Sequence, residues 1–123
     1  MLTEAQVREN AKELGLTDNS LNVLMSRYLK KDIKENFLET PADLFRRVAK
    51  IGSGGDPKFE QECYELMVKG IFLPNSPTLM NAGNKDGLLS ACFILPLEDS
   101  IEDIFNTVKI TAQVQKEIDF AWW

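Results

Sequence analysis

Apolar positions recur every three or four residues through most of the first seventy residues, the spacing of amphipathic helices, and give way to a mainly apolar run from Leu88 to Leu95. Val7, Ala11 and Leu14 share one helical face; Thr3 stands before the helix, and Gly15 stands where a glycine ends one. A second helix is predicted from Asp18 or Asn19, carrying Leu21, Leu24, Met25, Tyr28 and Leu29 on one stripe, with Arg27, Lys30 and Lys31 in its last turns, where cations favour the helix dipole. Thr40-Pro41 predicts an N-cap followed by a proline in the first helical position, and the helix should run through Leu44, Phe45, Val48 and Ala49 to Gly52. Asp56-Pro57 opens a further helix whose face carries Phe59, Cys63, Leu66 and Met67 and which Gly70 ends.

Beyond Gly70 the pattern changes. Phe72-Leu73-Pro74 reads as extended, with turns at Asn81-Ala82-Gly83 and Asp86-Gly87, and the run from Leu88 to Leu95, closed by Pro96, reads as a strand. Asp99 or Ser100 then caps a long helix bearing Ile101, Ile104, Phe105, Val108 and Ala112. The expected fold class is therefore α+β, mainly α with a short β element.

Composition narrows the chemistry. The 123 residues suffice for one modest core, and the apolar and charged fractions are those of a soluble globular domain. A net charge of −5 disfavours polynucleotide binding, and no apolar run is long enough for a membrane span. The N-terminus lacks the pattern of a secretory signal, and two cysteines do not make a disulfide framework; a cytoplasmic location is expected. The absence of histidine removes imidazole bases and His-ligated zinc, and no metal site is expected.

The glycines of Ser53-Gly54-Gly55-Asp56-Pro57 invite comparison with phosphate loops, but no Gly-Lys-Ser/Thr follows, so a linker is the better reading. In Asn75-Ser76-Pro77-Thr78, Pro77 disposes Ser76 toward extended geometry, so that two hydroxyls could meet one phosphate or ribose oxygen; on composition alone a turn whose hydroxyls satisfy their own backbone is the better reading. On a strand, Ser90 and Cys92 share a face. Without a histidine beside it, Cys92 suits thiol exchange better than acyl transfer, and a buried strand cysteine is the plain alternative. Cys63, on a core stripe, reads as structural.

Three stretches in register carry a family resemblance: Ser76-Pro77-Thr78-Leu79-Met80-Asn81-Ala82-Gly83, Leu89-Ser90-Ala91-Cys92-Phe93, and Glu98-Asp99-Ser100-Ile101-Glu102-Asp103-Ile104-Phe105. Together with the helices before them they resemble the N-terminal part of ribonucleotide reductase large chains, most of all the adenosylcobalamin-dependent (class II) form. The resemblance implies a helical region over 1–72 and, over 73–123, the first loop, strand and helix of a ten-stranded α/β barrel, truncated after about 117. It implies that Ser76, Ala91 and Cys92 contact the ribonucleotide with Thr78 and Ser90 beside them, and that Cys92 is one half of a redox pair whose partner is missing here.

It further implies a dNTP or ATP effector site touching Asp99, Ser100 and Ile101, a homodimer through helix 100–117, and a thioredoxin-like reductant. Adenosylcobalamin would serve the parent enzyme without being bound by this stretch, which alone should be inactive. After Glu117 the sequence IDFAWW departs from the family's glycine-rich continuation. A chain of a different class, a nucleotide-binding or regulatory dimerisation module, is the alternative.

Overall fold

The computed structural model describes residues 1–85, 87–90 and 92–119. Among the described residues six α-helices follow one another: α1 (Glu4–Glu13), α2 (Asp18–Val23), α3 (Pro41–Gly52), α4 (Pro57–Val68), α5 (Ser76–Asn81) and α6 (Ile101–Asp119). The starts follow their caps. Thr3 and Gln6 close a reciprocal box at α1, Thr40 and Asp43 another at α3, and the Asp56 carboxylate accepts from the Lys58 and Phe59 amides at α4. Gly15 and Gly70, at φ of 70° and 66°, end α1 and α4 in the left-handed conformation that glycine adopts without steric cost.

The second helix is shorter than its apolar stripe predicts. After Val23 the chain widens into a π-helical turn, Leu24–Tyr28, in which the Leu29 amide donates to the Leu24 carbonyl at 2.9 Å. Leu29 is already extended, so Lys30 and Lys31 lie beyond the helix. The connection to α3 is pinned by bridges from Phe37 to Leu2 and to Lys31, and by the Asp32 carboxylate, which accepts from the Lys34 and Asn36 amides.

Helix α3 is the centre of the domain. It packs along α4 and also against α1 and α5. Leu44, Phe45, Val48 and Ala49 are buried on it with Val7 and Ala11 of α1, Leu21 and Leu24, Met67 of α4, and Leu79 of α5. Leu44 and Val7 are wholly buried, and each such side chain removed from water contributes about 1.5–3 kcal/mol. Cys63 and Tyr64 pack half-buried against this cluster, and the Arg46 guanidinium covers the Tyr64 ring at 3.7 Å.

The strand expected over Leu88 to Leu95 is absent. Among the described residues there is no strand, and 88–90 and 92–98 run as irregular chain, so the fold is mainly α and the described residues contain no barrel unit. A strand is held by a ladder with a neighbour, and among the described residues no segment forms a ladder with this one. Ser76, expected to be extended, is instead the first residue of α5. Asn75 takes the cap by accepting from the Thr78 amide, and Pro77 occupies a first-turn position, where its missing N–H costs nothing.

Candidate nucleotide and thiol site

Helix α5 carries the first pair of candidate hydroxyls, and both of its ends are held. At its start the Ser76 hydroxyl lies 2.8 Å from the Tyr28 hydroxyl of the π-helical turn. At its end the Arg47 guanidinium, from α3, donates to the carbonyls of Ala82 at 2.7 Å and Leu79 at 3.2 Å. Those carbonyls have no partner within the helix, so a cation there meets both their hydrogen-bonding need and the negative end of the dipole. Arg47 is itself fixed by Glu39 through bonds of 2.7 and 2.9 Å, and Glu39 also accepts from the Lys30 amide at 3.0 Å. Burial, then the nearby Arg47, lowers the Lys30 ammonium from its ordinary pKa, with Glu39 opposing.

From α5 two side chains reach the segment that leads to Cys92. The buried Asn81 donates its amide to the Leu88 carbonyl at 2.8 Å. The Thr78 hydroxyl stands 2.9 Å from the Leu89 carbonyl and 2.5 Å from the Asn75 side-chain oxygen, one proton serving two acceptors. Gly87 permits this approach: a β-carbon there would lie 2.7 Å from the Asn81 β-carbon and 2.8 Å from its carbonyl oxygen. The backbone just before Ser90 is thus laid against the turn that bears Ser76 and Thr78.

Ser90 and Cys92 are both exposed, and Cys92 is a free thiol. Ala91 lies outside the described residues. Cys63, also free, is half-buried on α4, and Cys92 lies on irregular chain where a strand was expected. Beside Ser76 an open, largely apolar groove of about 430 Å³ runs between Leu24, Tyr28, Phe45, Met67 and Leu79. Among the described residues no three acidic or cysteine side chains are grouped to hold a metal ion.

The three residues foreseen for an effector sit at the start of α6. Ser100 caps the helix by accepting from the Asp103 amide at 3.1 Å and donating to its carboxylate at 2.5 Å, while Asp99 is exposed and Ile101 is 73% exposed. Capping accounts for Ser100 without a ligand. Of α6, the Thr107 hydroxyl reaches back to the Pro96 carbonyl at 2.9 Å, and Ile104, Phe105 and Val108 are exposed. Among the described residues no helix is long and apolar enough to cross a membrane.

Sequence reasoning missed Tyr28, Glu39, Arg47, Asn75 and Asn81. Asn75 carried a readable signal, a cap residue followed within two positions by proline and then by Leu79 and Met80 at helical spacing. The others act across gaps of 7 to 48 residues, which no local pattern encodes.

Comparison with known proteins agrees with the helical core described above. Residues 14–87, well over half of the chain, match the family described as "Ribonucleotide reductase, all-alpha domain". The chain is 35% identical to a vitamin B12-dependent ribonucleoside-diphosphate reductase of Thermoplasma acidophilum, with 85% of this chain and 22% of that protein covered. It is 37% identical to the enzyme of the same name in Mycobacterium tuberculosis, covering 85% of this chain and 16% of that one. Over 72% of its length it is 36% identical to the ribonucleoside-diphosphate reductase subunit alpha of Bacillus subtilis, 13% of which is covered. The chain spans less than a quarter of the length of these relatives. A helical core organised on α3 and matched across 74 consecutive positions, 14–87, places this chain in the ribonucleotide reductase all-alpha domain family.

Proposed function

We propose that the chain supplies the N-terminal helical region of an enzyme that reduces ribonucleotides to deoxyribonucleotides for DNA synthesis. In this reading Ser76, Thr78, Ser90, Ala91 and Cys92 border the ribonucleotide. Cys92 is one of two thiols that together give up two electrons and two protons: the ribose loses its 2′-hydroxyl as water, and the thiols become a disulfide that a thioredoxin-like protein reduces again. The partner thiol and the radical-bearing residues belong to sequence outside these 123 residues, so the chain alone performs no turnover. The observation that carries the reading is the bond from Thr78 to the Leu89 carbonyl, which lays the hydroxyl turn against the approach to Cys92.

The relatives named vitamin B12-dependent support adenosylcobalamin as the cofactor of the whole enzyme. The chain has no histidine, and none of the candidate residues here is assigned to hold it. No step is assigned to the cofactor on this chain. Two free thiols support a reducing, cytoplasmic setting. An effector nucleotide at Asp99, Ser100 and Ile101, and a homodimer through α6, are supported by exposure at the start of that helix and along Ile104, Phe105 and Val108. That same exposed face favours the second reading, a regulatory module that dimerises through α6.

The test is a chimera in which this chain replaces the matching segment of the Thermoplasma acidophilum reductase, assayed for ribonucleotide reduction with adenosylcobalamin and a dithiol. Cys92→Ser is expected to abolish multiple turnover while Cys63→Ser leaves it intact. Unchanged turnover by the Cys92→Ser chimera would remove the redox assignment, and turnover by the isolated 123-residue chain would refute its dependence on further sequence.

A further inference from the structure

Tyr28 and Ser76 stand 48 positions apart, yet their hydroxyls meet at 2.8 Å. We infer that Tyr28 is a positioning residue of the nucleotide site, its phenol turning the Ser76 hydroxyl into a directed donor for an acceptor oxygen of the substrate. The inference rests on the reading of Ser76 as a substrate contact.

The chemistry follows from proton counting. Two hydroxyls that bond each other use one of their two protons. A phenol is a stronger hydrogen-bond donor than an aliphatic alcohol, so the favoured arrangement runs from the Tyr28 O–H to the Ser76 oxygen. The serine proton is then free to point away from Tyr28, and a hydroxyl that accepts one bond donates more strongly in the next. A phosphate or ribose oxygen arriving at Ser76 would complete the relay.

Stability alone gives little reason for this pair. Ser76 is exposed and Tyr28 only partly buried, so water could satisfy either hydroxyl, and a bond in such a place adds little to folding. The backbone nevertheless departs from α geometry to make it. Tyr28 closes the π-helical turn Leu24–Tyr28, a distortion that occurs often at functional sites, and its ring lines the groove beside Phe45, Met67 and Leu79. The ring is therefore placed by packing, and only the hydroxyl is left over for Ser76.

Tyr28→Phe removes the hydroxyl and keeps the ring. In the isolated chain, side-chain coupling constants should show Ser76 in one χ1 rotamer in the starting protein and averaged among rotamers in Tyr28→Phe; a Ser76 rotamer that stays fixed overturns the inference without involving substrate. In the chimeric reductase, Tyr28→Phe should raise KM for the nucleotide about three- to tenfold, the size expected for one lost hydrogen bond, with kcat within about twofold. On a Ser76→Ala background the same change should add less than about twofold, because the relay is already broken. An unchanged KM in Tyr28→Phe, or an equal rise with and without Ser76, refutes the positioning role alone. A Ser76→Ala chimera with unaltered KM removes the substrate role of Ser76 and this inference with it.

Discussion

The partly buried Arg47 guanidinium and the buried Glu39 carboxylate form a two-bond pair, at 2.7 and 2.9 Å, and the same guanidinium holds the last carbonyls of α5. One ion pair therefore joins the extended approach to α3, the centre of the core, and the helix that bears Ser76. Removing one partner leaves the other charge buried and, in the case of Arg47, strands two carbonyls. Arg47→Ala is expected to lower unfolding free energy by about 3–5 kcal/mol in a denaturant titration. A loss below about 1 kcal/mol would show that the pair behaves as a surface bridge.

Cys92 is exposed and Cys63 is packed against the α3 and α4 core. Under native conditions a thiol reagent should label Cys92 at least about tenfold faster, since exposure of the thiol governs access. Denaturant should bring the two rates together. Equal native rates would contradict the packing of Cys63.

Acid should loosen the molecule at two surface places. The Asn36 side chain and then its amide hold the Asp32 carboxyl below its ordinary pKa of 3.8, and Gln61 and then Lys69 hold Glu65 below its ordinary 4.5. A carboxyl with a depressed native pKa contributes stability above its unfolded value, and the contribution is lost as pH falls through the native one. Amide signals of Lys34 and Asn36 should therefore stay native-like until the pH drops below 3.8, then shift toward unfolded positions. Asp32→Asn should remove that step; its persistence would assign the transition to another group.

Helix α6 exposes Ile104, Phe105 and Val108 on one side. If two copies meet there, sedimentation should show association that rises with concentration, and Phe105→Glu should shift the equilibrium at least about tenfold toward monomer, as expected for a charge placed in an apolar contact. A monomer at all concentrations would exclude α6 as a self-association surface for this chain.

The parts of the fold that were legible are those written locally. Thr3, Thr40-Pro41 and Asp56-Pro57 announced three helix starts, and Gly15 and Gly70 two ends, because a cap is decided within four residues. The run from Leu88 to Leu95 misled for the opposite reason: its largely apolar character states what the segment could pair with, and pairing depends on a neighbour that periodicity does not reveal. Ser76 misled because the steric rule for a residue before proline was set against a cap at Asn75, and the cap prevailed. Ser76, Thr78 and Cys92 could be proposed as candidates from sequence order alone. The contacts that arrange Ser76 and Thr78, from Tyr28, Arg47 and Leu89, could not.

The tie from Arg47 to Ala82 has a kinetic side. Helices α3 and α4 are joined by four residues, whereas Arg47 and Ala82 are 35 positions apart. Closing the longer loop costs more chain entropy, so the α3 and α4 hairpin is expected to form first and α5 to dock late. A change at Arg47 should then speed unfolding far more than it slows folding. The segment that carries the candidate chemistry is thus the last to be gathered in and the first to be let go, while the helices that hold it stay closed.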